Sequence, residues 1–183
     1  CANGHKCIEG RCRCHGNQRY SYKYGKCVPC PKGWVMYENL CYYISNHRRT
    51  WYDAKNYCEY QSSRLMTIDT RVMIDFSYEF FDKFYLKDYF HVGAFGSKEN
   101  KWYWFSGHKI PAGGPWWSKC FIPTNYYGNY YHYSESCGKL SKYGLGSTSC
   151  NSVRERFICE TDFEFDSRSR IDHEIRRYNY EDT

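Results

Sequence analysis

The sequence predicts an α+β fold of the small extracellular kind, stapled by disulfides, and three observations predict it. Twelve cysteines stand among 183 residues, far above ordinary usage, and disulfides persist only where the surroundings oxidise. Two stretches repeat apolar residues with helical spacing, near residues 50–58 and from about Thr70. An alternating Tyr20, Tyr22, Tyr24 run reads instead as strand.

A chain of this length can hold one good core plus a small appendage. No run approaches the roughly 20 apolar residues of a membrane-spanning helix. The chain opens at Cys1 without a charged, apolar leader, so the expectation is a mature, secreted, extracellular protein with no membrane span. It contains no Asn-x-Ser/Thr triplet and offers no N-linked glycan. The net charge is +6 and unevenly spread. Residues 1–29 carry Lys6, Arg11, Arg13, Arg19, Lys23 and Lys26 against Glu9 alone, whereas residues 161–183 hold four basic and seven acidic side chains. A basic head and an acidic tail steer an anionic partner, or one copy toward another, or simply solvate exposed faces.

Residues 1–29 contain Cys1, Cys7, Cys12, Cys14 and Cys27, with Gly10, Gly16 and Gly25 among them and almost no large aliphatic side chains. Such a segment cannot build a core and depends on cross-links. The Cys12-Arg13-Cys14 pair, Gly16 and the tyrosine run suggest a short hairpin closed near Lys26 and Cys27. Zinc is a poor reading of Cys12, Cys14 and His15, because three ligands so close cannot easily surround a tetrahedral ion. The spacing resembles an EGF-like module. That resemblance implies bridges Cys14–Cys27 and Cys1–Cys12, with the module's first cysteine missing and Cys7 left over.

Residues 30–160 open with Cys30-Pro-Lys-Gly-Trp34 and reach Cys41-Tyr42. Thr50 is a good N-cap for the helix that follows, and Trp51, Ala54 and Cys58 fall on one stripe of it. From about Thr70, Val72, Phe76 and Phe80 repeat every four residues, with Met73 widening the face. His91-Val92-Gly93-Ala94 comes next, then Trp102-Tyr103-Trp104-Phe105-Ser106-Gly107. Cys137-Gly138-Lys139-Leu140, Cys150 and Arg156-Phe157-Ile158-Cys159-Glu160 close the segment. In order and spacing these motifs resemble the long-form C-type lectin-like domain, with His91 and Ser106 departing from the family's tryptophan and acid. The resemblance implies two helices, small antiparallel sheets and a long loop. It also implies bridges Cys30–Cys41, Cys58–Cys159 and Cys137–Cys150. Cys7 and Cys120 remain once the implied bridges are drawn, so a Cys7–Cys120 bridge is expected, with an intermolecular bond or a rearranged head pairing as alternatives.

Residues 161–183 run past the point where that family's fold closes. Ile171, Ile175 and Tyr178 lie at helical spacing, so a narrow amphipathic helix is expected between Arg170 and Tyr180.

Sugar binding in the family usually runs through a calcium ion held by oxygen-rich side chains. Counted from Trp117, its Glu-Pro-Asn or Gln-Pro-Asp site falls on Ile122-Pro123-Thr124, where the resemblance implies a cis Pro123. Counted back from Cys150, its Trp-Asn-Asp falls on Leu145-Gly146-Ser147. No acidic residue occurs between Cys120 and Glu135, so the expectation is no metal and no other cofactor. The loop holds aromatic residues instead: Trp116, Trp117, Phe121, Tyr126, Tyr127, Tyr130, Tyr131, His132 and Tyr133, spaced by Gly, Asn, Ser and Pro. Rings of this kind give large contact area at low entropy cost, while the small polar residues supply adaptable hydrogen bonds. One tryptophan and about two tyrosines are expected to fill the loop's own core, leaving a binding face of the others.

Enzyme readings fail on spacing. His173-Glu174-Ile175-Arg176-Arg177 lacks the second histidine of a zinc protease helix, and no Gly-x-Ser-x-Gly elbow occurs. The leading expectation is a non-enzymatic, calcium-independent module that binds a protein partner, without nucleic acid. A self-assembling, tyrosine-rich matrix or adhesive protein and a glycan-binding lectin are the rivals.

Overall fold

The structure, a computed structural model, describes residues 6–8, 11–21, 26–38, 40–68, 72–96, 101–111, 116–118 and 136–161. At 6–8, 11–12, 72–74 and 76 it describes the backbone alone. In the head, Lys6–Ile8 (β1) pairs antiparallel with Arg11–Arg13 (β2), setting Cys7 opposite Cys12. Gln18–Ser21 (β3) then pairs with Lys26–Pro29 (β4), the hairpin expected from the tyrosine run. The Cys14–Cys27 disulfide ties this hairpin down and removes Cys14 from any metal site.

The main body follows in order: Val35–Tyr37 (β5), Leu40–Ile44 (β6), helix Trp51–Tyr60 (α1), Arg64–Leu65 (β7), helix Val72–Lys83 (α2) and Phe90–Gly96 (β8). Trp102–Trp104 (β9), Lys109–Ile110 (β10), Ser136–Ser141 (β11), Gly144–Ser149 (β12) and Arg156–Thr161 (β13) complete it. Among the described residues, β10, β9, β8, β13, β6 and β5 lie side by side in that order; β11 also pairs with β8, β12 with β11, and β7 with β13. Strands β13 and β8 run parallel, with Phe157 beside His91; the other pairings are antiparallel.

Helix α1 starts where Thr50 predicts, its hydroxyl accepting the N–H of Asp53 at 3.2 Å. Trp51, Ala54 and Cys58 are buried as one stripe. They pack with Leu65, Phe105 and Phe157 in one core cluster. The Trp51 indole donates to the carbonyl of Val92 at 2.8 Å, fixing the helix against β8. A second cluster holds Phe80 and Phe81 of α2 with Tyr42, Val92, Trp102, Trp104 and Ile158. Successive residues of β13 serve the two clusters in turn, Phe157 and Cys159 in the first and Ile158 in the second, as a pleated strand requires. The bridges Cys30–Cys41, Cys58–Cys159 and Cys137–Cys150 are present. The expected Cys1–Cys12 and Cys7–Cys120 bridges, Pro123 and the tail from 162 to 183 lie outside the described residues.

Candidate functional site

The site is built on the β11–β12 hairpin and the tryptophan pair that precedes the long loop. Cys137 at the start of β11 is bridged to Cys150 just past β12, which closes the hairpin's open end. At its turn Gly144 has φ +116, a conformation L side chains rarely adopt, and a Cβ there would lie 2.8 Å from the Ser118 nitrogen. That close approach lets Trp116–Ser118 add on as a short strand. The Leu145 N–H donates to the Trp116 carbonyl at 2.7 Å, and the Ser118 N–H donates to the Leu145 carbonyl at 2.9 Å.

The two tryptophans divide their work. Trp117 is buried, meets Trp102 edge-on with ring centres 5.0 Å apart, and donates its indole N–H to the Pro111 carbonyl at 3.0 Å. It is the tryptophan expected to fill the loop's core. Trp116 is half-buried and packs on the rim of the same cluster. Phe121, Tyr126, Tyr127, Tyr130, Tyr131, His132 and Tyr133 lie outside the described residues, as do Ile122 and Thr124. Of the other three positions relevant to a cation, Leu145 is buried in the core, Gly146 has no side chain, and Ser147 is exposed with only a hydroxyl. The buried hydroxyl of Ser118 has no hydrogen-bond partner among the described residues.

The fold geometry agrees with the domain-wide comparison: a model of the lectin C-type domain matches residues 47–161. The chain belongs to the C-type lectin domain family. Rat asialoglycoprotein receptor 2 is 26% identical over 137 residues, covering 72% of this chain and 42% of the relative. The pig NKG2-D type II integral membrane protein is 35% identical over 82 residues, covering 44% of this chain and 36% of the relative. The chain thus spans less than half the length of these curated relatives. The mouse scavenger receptor C-type lectin carbohydrate-recognition domain superposes with a TM-score of 0.55 at 25% identity, covering 72% of this chain and 95% of that one. In its homologues the C-type lectin domain is a carbohydrate- or protein-recognition module, not an enzyme. Among the described residues no helix is long and apolar enough to cross a membrane.

Three features of this C-type lectin domain escaped the sequence reading. His91, which stands where the family has tryptophan, is wholly buried at the centre of the sheet, paired across to Phe157 on one side and Lys139 on the other. Its ring nitrogens make no well-formed hydrogen bond among the described residues. Burial therefore dominates and holds its pKa down to about 4, partly offset by the nearby backbone of Val153 and Arg49. Glu160 is buried too, yet Arg64 donates to it at 2.8 Å and Thr67 at 2.6 Å; burial pushes its pKa up and these partners pull it back. The third is an ion network: Arg48 pairs with Glu155 at 2.6 Å and Asp88 at 3.5 Å, Arg156 with Asp88 at 3.7 Å, and Lys139 with Glu155 at 4.0 Å. Its members are scattered over more than 100 positions, so no local pattern marks it.

Proposed function

We propose that the chain is a secreted, calcium-independent recognition module whose aromatic long loop docks a protein surface, presented beside an EGF-like head of residues 1–29. The observation that carries this reading is the donor set. A divalent ion needs several oxygen ligands, and the positions that would supply them hold Ile122, Thr124, Leu145, Gly146 and Ser147. Leu145 is spent on the core, and one hydroxyl replaces a carboxylate at Ser147. These residues do not fit calcium. Trp117 is buried, so on this reading the contact falls to Trp116 with Phe121, Tyr126, Tyr127, Tyr130, Tyr131 and Tyr133.

The test uses the partner that co-purifies with the native protein. Tyr130→Ala with Tyr131→Ala weakens that complex while leaving the circular dichroism spectrum and Tm unchanged, and chelator leaves the complex intact. Unchanged binding by the double variant removes the loop assignment, and loss of binding on chelation removes calcium independence.

A further inference from the structure

A second surface lies at the end of β6 and β13 remote from the head. The head runs into Cys30, which is bridged to Cys41 at the other end of β6, whereas Arg48 follows β6 after a short turn and Arg156 opens β13. The ion network there shares two carboxylates among three cations. Arg48 engages both Asp88 and Glu155, Arg156 takes Asp88, and Lys139 takes Glu155. Each network loop adds another cation immediately beside these residues: Arg49 next to Arg48, Lys87 next to Asp88, and Arg154 next to Glu155. Three cations thus stand in the network and three next to it in the chain, against the network's two carboxylates.

Several of these cations are already held in place. Arg156 donates from Nε to the Ser45 carbonyl at 2.6 Å and from Nη2 to Asn46 at 3.0 Å, and it lies over the Phe90 ring. Arg49 lies over Tyr57, and Lys139 over Tyr89. Fixed side chains lose little entropy when an anion arrives. Lys87 and Arg154 are exposed and make no ion pair among the described residues.

Two residues before Lys87 stands an aromatic ring that the fold keeps at a cost. Helix α2 ends with the Leu86 N–H donating to the Phe81 carbonyl at 2.8 Å and the Tyr85 N–H to Asp82 at 3.1 Å. This arrangement puts its left-handed residue at Tyr85, φ 52. Glycine or asparagine ordinarily fills such a position, because a bulky side chain there is strained. Tyr85 is 87% exposed, so nothing in its own packing repays the strain. A flat ring two residues from Lys87 provides an apolar platform next to the cations.

We infer that this surface binds a sulfated polysaccharide, its sulfates meeting Lys87, Arg154 and the network guanidiniums while a sugar face stacks on Tyr85. Sulfated chains join dense negative charge to flat apolar ring faces, which is the combination displayed here. The inference is independent of the long loop.

The probe is a size-defined heparin oligosaccharide, with binding of the full chain followed at rising salt. Wild type binds at low salt. Lys87→Ser with Arg154→Ser binds about tenfold more weakly and with a shallower salt dependence, since fewer condensed counterions are released. Tyr85→Gly moves in two directions at once, raising Tm by relief of the backbone strain while weakening binding several-fold. Arg13→Ser with Lys26→Ser, exposed residues of the head, leaves binding unchanged. Any of four results overturns the inference: no binding by wild type, full binding by Lys87→Ser with Arg154→Ser, full binding by Tyr85→Gly, or loss through the head pair. Equal affinity for phosphatidylserine vesicles assigns the surface to membranes instead and overturns it as well.

Discussion

The side-chain carbonyl of Asn17 accepts the backbone N–H of Met36 at 2.6 Å, while its amide donates to the carbonyl of Trp34 at 2.9 Å. One side chain thereby pairs with β5, the edge strand of the main sheet, in the manner of a neighbouring strand. The Cys30 N–H adds a third bond, to the Asn17 carbonyl at 3.0 Å. The head is thus held in register with the lectin domain by more than chain continuity into Cys30. Asn17→Ala removes the two side-chain bonds, and a loss of about 1 kcal/mol is expected in denaturant unfolding. Hydrogen exchange at Met36 should quicken; unchanged protection there would show that Asn17 does not hold the edge.

His91 gives the domain a pH dependence whose sign is fixed. Its native pKa of about 4 lies below the unfolded value of about 6.5, so between them the unfolded chain holds a proton that the native state lacks. Stability from this group is complete above about pH 6.5 and is lost as pH falls toward about 4, by roughly 3 kcal/mol in all. His91→Leu keeps the site apolar and should flatten the curve in that window. An equally steep curve for the variant would rule out His91 as the source.

Arg64 is the partner that makes a buried Glu160 tolerable. Arg64→Ala leaves that carboxylate short of its cation and should destabilise by about 3 kcal/mol. The loss should be smaller in acid, where Glu160 is protonated. Adding Glu160→Gln should recover part of it, and a strictly additive double variant would mean the two side chains do not interact.

The Cys58–Cys159 bridge spans 101 residues and the Cys14–Cys27 bridge 13. Cross-links stabilise mainly by restricting the unfolded chain, more so for longer loops. Cys58→Ala with Cys159→Ala should therefore cost about 4 to 5 kcal/mol, against about 3 kcal/mol for the head pair. Thermal melts of the two variants decide the order; a larger drop for the head pair would contradict it.

By itself the sequence determined the two helices and the hairpin of the head, which are written in local periodicity and capping and need no knowledge of distant residues. The four disulfides and the order of the strands followed from the resemblance that its motifs carry. Only the tertiary structure decided that Trp117 rather than Trp116 fills the core, since two adjacent tryptophans look alike until Pro111 and Trp102 stand beside one of them. It alone exposed His91 as buried and brought Arg48, Asp88, Lys139, Glu155 and Arg156 into one network. Burial and ion pairing depend on which strands become neighbours, and β8 reaches both β11 and β13 only through long-range pairing that no short window of sequence records.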